Sequence, residues 1–347
     1  ENCIGFSKVP LGIAGPLRLN CGDRTGRVHA PIATYEPTLI ASCSRGCKAF
    51  NASGGMYFRV LGDGMSRAPV FSFPSPGDAV TFSRELPAPR DEFSNWASAT
   101  STHVKLLKMQ PAVIGSQVHV LCTYTCGDAA GQNMVTKATQ YACDMVRKTY
   151  GDKFHITDFF IEGQMASDKK PSWSHVQTPR GVQVMAWGTI SAEACKTVFG
   201  CTTRRLYQAQ RTLKEGGIRN GQFGSNINTA NIVAAIFIAT GQDPASIVDA
   251  AWCHLTSELD ESTDALTMSM FCPSLPIGVI GGGTGYPTQR EALRLLGCDG
   301  TNERHRLAGI IASFSLALDA STSAAIANNT FTKSHMVLAR GEEKSML

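Results

Sequence analysis

The chain of 347 residues is 43% hydrophobic, 17% charged and 8% aromatic, enough apolar material for a full-sized core and, by its length, about two domains. Lys and Arg number 32 against 28 Asp and Glu, a net charge of +4 that is too mild and too scattered for a polybasic nucleic-acid surface. Disorder, coiled coil and collagen are excluded by composition, and the longest apolar run, Ile232–Ala239, is far short of the roughly 18 residues of a membrane span.

The chain opens on Glu1, with no Met and no signal peptide, and reads as part of a longer protein. A turn-rich apolar stretch (Val9 to Leu17) comes first, then a helical pattern from Leu39 to about Asn51 that closes on Gly54-Gly55. A strand over 117–124, a Gly-Asp turn at 127–128 and a helix from about 131 to 150 follow, the order of a small α+β unit. Residues 226–241 are apolar nearly all round, and predict a buried central helix. A glycine-dense turn at 278–285, a helix at about 288–296 and a small-residue helix at about 307–328 complete the pattern. The expected fold is α/β (α+β): a large domain, 1–72 with 161–347, interrupted by a smaller one at 73–160. None of the 12 cysteines forms C-x-x-C and no His completes a zinc pattern, so buried, reduced thiols are expected and no metal site.

Several residues carry potential chemistry. Glu36 stands just before a helix, where it either complements the dipole or is a half-buried acid with a proton to give. Asp168-Lys169-Lys170 reads as a solvated turn or as an ammonium aimed at a developing oxyanion, placed by the adjacent carboxylate. Asp243 ends the most apolar helix, where a carboxylate opposes the dipole; N-capping the next helix is the plain explanation. His335 is near the end of the chain, as a surface residue or an acid. The segments 127–133 and 281–285 each precede a helix and can turn backbone N–H groups toward phosphate, although neither is a complete dinucleotide or P-loop motif.

Taken in order, these segments do more. Glu1-Asn2-Cys3-Ile4-Gly5, Val9-Pro10-Leu11-Gly12-Ile13-Ala14-Gly15-Pro16-Leu17, Glu36 with Ala41 to Cys47, Gly127 to Met134, Asp168-Lys169-Lys170-Pro171, Gly241-Gln242-Asp243-Pro244, Gly281-Gly282-Gly283-Thr284 and Lys333-Ser334-His335-Met336 together make a sequence that resembles the eukaryotic-type catalytic domain of the hydroxymethylglutaryl-coenzyme A reductase family. The resemblance runs over essentially the whole chain. It implies a large domain around a central helix with an inserted ferredoxin-like NAD(P)-binding domain, and a homodimer or higher assembly with the active site between subunits. It further implies a cytosol-facing chain, which a preceding region can tether to the endoplasmic reticulum. The implied reaction is four-electron reduction of an acyl-coenzyme A thioester to an alcohol, hydroxymethylglutaryl-coenzyme A to mevalonate by default, with NADPH as cofactor and NADH the alternative.

By motif position the resemblance makes Lys169, Glu36, Asp243 and His335 catalytic. Lys169 would hold the oxyanion, Glu36 give a proton at the aldehyde step, Asp243 keep the network charged and His335 protonate the coenzyme A thiolate. Asp128, Ala130, Gly131, Gln132, Asn133, Gly282, Gly283 and Thr284 would bind the cofactor. Ser72, Glu162, Asp168, Lys170, Arg211, Asn228 and Asn231 would line the substrate. The specificity positions depart from the family: Ser72 replaces an Arg, Glu162 a Ser, Asn228 a His, and Arg211 stands nearest a missing Lys. A carboxylate at Glu162 faces the free acid of the default substrate as a like charge unless Arg211 or Lys170 compensates. A relative acting on a different, specialised-metabolite acyl thioester, or doing non-redox acid–base chemistry, is therefore the alternative.

Overall fold

The computed structural model describes residues 2–21, 25–86 and 90–330. Two apolar cores organise it. The first unit contributes strands β1 (Leu11–Leu19) and β2 (Gly26–Ala33), helix α1 (Pro37–Ala52) and the long strand β3 (Met56–Arg67). Next come β4 (Val70–Ser72), α2 (Pro76–Glu85), α3 (Arg90–Ser98), β5 (Lys105–Ile114), β6 (Gln117–Thr125), α4 (Gln132–Phe154) and β7 (Asp158–Phe160). The chain then returns through α5 (Ser174–Gln177), β8 (Gly181–Ile190), α6 (Ala192–Ala194), α7 (Thr203–Arg219), α8 (Thr229–Thr240) and α9 (Ile247–Ala250). Strands β9 (His254–Asp260) and β10 (Ala265–Leu275) and helices α10 (Pro287–Leu295) and α11 (Arg304–Ala327) finish it.

The middle segment has the order β4-α2/α3-β5-β6-α4-β7, with antiparallel neighbours β7-β4-β6-β5, which is the ferredoxin-like arrangement. Its core gathers Phe71, Phe73, Phe82, Phe93, Tyr124 and Val146, and also takes Met65 from upstream. Strand β3 joins the two units: Met56–Gly64 pairs with β8, and Met65–Arg67 pairs with β6. The larger core lies between α1, α8, α11 and the strands β1-β2 and β3-β8-β10-β9.

The predicted elements agree in position with α1, β6, α4, α8, α10 and α11, and two details differ. The apolar stretch at 9–17 forms a strand despite Gly12, Gly15 and Pro16, because the ladder with β2 is interrupted between Ala14 and Leu17. A bulge is where a proline's missing N–H does no harm. The helix that threads the core is α11, buried on every side, whereas α8 lies beside it. Its small residues permit this: a Cβ on Gly46 of α1 would come within 1.8 Å of the Ala317 carbonyl. By length and hydropathy α11 could cross a membrane, but 94% of its most apolar window is buried, as befits a core helix. All 12 cysteines are free and most are buried, and among the described residues no cluster of three metal-ligating side chains occurs.

Candidate active site

Four loops converge beside α4. The turn at 127–131 and the glycine-rich turn at 278–285 meet directly, through a bridge between Ala129 and Ile280 and a Val279 N–H bond to Asp128 O of 2.8 Å. Gly278 is required there, since a Cβ would sit 2.4 Å from Ala130 N. The Gly241–Asp243 turn joins them. Gln242 forms a two-way bond with Gly278, its Nε2 donating to the carbonyl and its Oε1 accepting from the N–H, each at 2.9 Å. The fourth is the 162–170 loop, linked to α4 by Gln132 Nε2 donating to Asp168 Oδ2 at 3.2 Å.

This assembly presents bare backbone. Helix α4 starts after Gly131, which is left-handed (φ 87°) and provides no side-chain cap, so its first N–H groups are available to an anion. Gly281 and Gly282 also have positive φ, with open space where a Cβ would be. A pyrophosphate can therefore approach both turns closely, and the donor set suits a nicotinamide dinucleotide. Of the predicted cofactor residues, Asp128 is bound structurally, accepting from Asn302 N–H at 2.8 Å. Thr284 is buried and donates to Gly281 O at 2.7 Å, which shapes the turn.

Lys169 and Asp243 come together across the loops, Nζ to Oδ2 at 3.1 Å, with both side chains about half exposed. Asp243 also accepts from Ala245 N–H at 3.0 Å, so it caps the next turn while pairing with Lys169. Lys169 has a left-handed backbone (φ 57°), as do Gln164 and Ser167 in the same loop. Non-glycine residues persist there only when the surroundings impose it, typically at functional sites. Glu36 is half-buried at the start of α1 and accepts from Thr38 Oγ1 at 3.2 Å. Among the described residues, none of its hydrogen bonds or ion pairs joins it to Lys169 or Asp243. His335 lies outside the described residues.

The substrate-side residues divide. Asp168 is gripped by the buried Arg180, which also holds Gln132 Oε1. Glu162 is neutralised by neither Arg211 nor Lys170. Its partner is Arg67 at 3.3 Å, and its oxygens also accept from the N–H groups of Ala68 (3.2 Å) and Gln164 (2.7 Å). The compensating cation is thus Arg67, at the end of β3, where the sequence showed no contact, and it is shared with Asp168 at 3.9 Å. Lys170 donates to the Asp168 carbonyl. Arg211 lies on α7 and lines a separate cavity of about 330 Å³ between α7 and β9, away from Lys169 and Asp243. Asn228 is a framework residue, with Nδ2 on Thr322 at 2.8 Å, and Asn231 follows one turn later with its N–H on Asn228 O. Ser72 ends β4 and its carbonyl accepts from Thr157.

Besides Arg67, sequence reasoning missed three groups. Asp319 of α11 accepts from the N–H groups of Ile227 and Asn228 at 2.9 and 2.8 Å and so anchors the start of α8. Burial pushes it up to about 7 against those two bonds. Its signal was a lone carboxylate within a small, apolar helical run. Arg180 and Asp249, both buried, carried no local signal, since their partners are distant in sequence or separated by loops.

A family model described as hydroxymethylglutaryl-coenzyme A reductase matches residues 1–340. Among curated proteins, the 3-hydroxy-3-methylglutaryl-coenzyme A reductase of Aeropyrum pernix is 36% identical, covering 98% of this chain and 82% of its own length. That of Cannabis sativa is 37% identical over 97% of this chain and 59% of its own. A class II 3-hydroxy-3-methylglutaryl-CoA reductase from Streptococcus pneumoniae, bound to NADPH in open conformations, superposes with a TM-score of 0.75 over 94% of this chain and 87% of that one, at 18% identity. With its sequence matched along nearly all its length, this chain belongs to the hydroxymethylglutaryl-coenzyme A reductase family.

Proposed function

We propose that the chain reduces hydroxymethylglutaryl-coenzyme A to mevalonate and free coenzyme A, consuming two NADPH and two protons. NADPH supplies one hydride to the thioester carbon and a second to the aldehyde left when the C–S bond breaks. The remaining work belongs to side chains. Lys169 holds each developing oxyanion, which requires a fixed cation. Asp243, at 3.1 Å, holds that ammonium in place by an ion pair. Glu36 is the proton source for the alkoxide, and His335 the source for the departing thiolate. The observation that carries this reading is the Lys169–Asp243 pair standing where the two glycine turns and the start of α4 meet.

The ferredoxin-like unit, 73–160 with its shared strand, is the cofactor domain in this reading, supported by the uncapped α4 start. A homodimer is supported by the N-terminal arm, where Ile4 and Phe6 lie open to solvent next to exposed Leu11 and Ile13. The free cysteines favour a reducing, cytosol-facing setting. One observation favours a different acyl group: Arg67 is engaged by Glu162 and Asp168 and is not free for a substrate carboxylate. Purified protein given NADPH and hydroxymethylglutaryl-coenzyme A is expected to oxidise two NADPH per thiol released. A folded protein that binds NADPH but oxidises none overturns the reading. Faster turnover of 3-hydroxy-3-methylbutanoyl-coenzyme A, which lacks the free carboxylate, selects the second.

A further inference from the structure

A pocket of about 390 Å³, open to solvent, is lined by Pro171 from the loop that carries Lys169, by Ile247, Val248, Ala251 and Trp252 from the segment after Asp243, and by Phe223. Its volume is within the range of small-molecule sites. Pro171 is two residues beyond Lys169 and Ile247 four beyond Asp243, which bounds their Cα atoms to within about 8 and 15 Å of those of the ion pair. The remaining members, Gln222 and Asn226, are neutral amides, so among the described residues no charged side chain lines the pocket. Asn226 is occupied by the backbone: its Nδ2 donates to the carbonyls of Ala251 and Cys253 at 3.0 and 3.2 Å, and its Oδ1 accepts from Thr229 N–H at 3.3 Å. An anion entering such a site loses hydration without finding a counter-ion. An apolar group is favoured there, since it leaves water for apolar walls.

Aromatic packing fixes one wall. Trp252, 5% exposed, meets Trp173 and Phe223 edge-on with ring centroids 5.6 and 5.7 Å away, a favoured geometry for such pairs. Trp173 and Phe223 pack on each other at 5.2 Å. Both keep an open side: Trp173 is 57% exposed, Phe223 38%, and Val248 of the same pocket 48%. Large apolar side chains grouped in the open around a cavity mark a binding site. A second feature is polar. The indole N–H of Trp252 is buried without an acceptor, although buried tryptophans ordinarily have one. A ligand with an apolar body and a carbonyl or hydroxyl oxygen satisfies both features. An acyl chain whose thioester carbonyl lies at Lys169 has that chemistry, and Arg67, engaged by Glu162 and Asp168, favours a chain with no carboxylate at its far end.

We propose that this pocket is an acyl subsite, which takes the apolar chain of a coenzyme A thioester that ends without a carboxylate. The assignment rests on the reductase reading and names the substrate class of its second acyl group. The reaction balance is unchanged: two NADPH give two hydrides, two protons are taken up, the C–S bond breaks, and an alcohol and free coenzyme A result. Calorimetric titration of the intact protein with butanoyl-, hexanoyl- and octanoyl-coenzyme A, without NADPH, reads the pocket apart from turnover. Affinity is expected to rise about fourfold per added methylene. Val248→Trp, at a half-exposed position, fills the pocket and is expected to abolish that gain while leaving the affinity for free coenzyme A unchanged. Should this variant not fold, Val248→Asp, which sets a charge in the apolar lining, is expected to remove the same gain. Affinity that does not change with chain length, or a gain that survives a folded Val248 variant, overturns the proposal. Loss of free coenzyme A binding in the Val248 variants also overturns it, because the pocket would then hold the nucleotide end of the thioester. A chain-length gain in a protein that oxidises no NADPH with any thioester supports the subsite and overturns the reductase reading. Reduction of hydroxymethylglutaryl-coenzyme A by a protein without that gain does the reverse.

Discussion

Two ion pairs on adjacent residues of one loop show how differently the same chemistry can be used. Asp168 pairs with Arg180, whose side chain is 1% exposed, while Lys169 pairs with Asp243 with both partners about half in solvent. The buried pair ties β8, α4 and the loop into one framework, and breaking it leaves a charge stranded in the interior. The open pair contributes little to stability but leaves its ammonium free to turn toward a ligand. Framework residue and proposed reactive residue are thus neighbours in sequence and opposites in environment.

Several measurements would break or sharpen that contrast. The largest effect on stability is expected at the buried end: Arg180→Met strands Asp168 and Asp249 and should cost about 3–5 kcal/mol, read by urea unfolding. Asp319 gives the next, as a pH effect. Its folded-state value is pushed up to about 7, so the native chain binds that proton more tightly than the unfolded one. Its contribution is full below the unfolded value near 3.9 and is lost as pH rises through about 7. Unfolding free energy is therefore expected to fall across that window, and Asp319→Asn to flatten the slope; a wild-type curve rising throughout the window contradicts it. Smallest is the surface pair Arg204–Asp264, 2.8 Å apart with both side chains half exposed, where Arg204→Ala should change stability by less than about 1 kcal/mol.

What could be read in advance follows the same division. Helices α1, α4, α8, α10 and α11 and strand β6 were legible because each carries its own periodicity and terminators within a short window. The glycine turns were legible as phosphate-facing candidates because positive φ leaves a local signature. The sharing of β3 between the two units was not, since Met65 pairs with Tyr124 across a long stretch of intervening chain. Arg67 beside Glu162 and Asp249 beside Arg180 were hidden for the same reason: each is an ordinary charged residue until tertiary packing supplies its partner. The Lys169–Asp243 pairing lay between these extremes, with both residues noticed singly and their proximity supplied by the fold.

In the proposed reaction the exposed lysine, rather than the buried arginine beside it, does the chemistry. Lys169→Met, followed by nicotinamide absorbance with hydroxymethylglutaryl-coenzyme A and by fluorescence for NADPH binding, tests it most directly. The expected result is a loss of about 10²–10³-fold or more in kcat, with NADPH affinity and unfolding free energy nearly unchanged. Turnover within a few-fold of wild type would contradict the account.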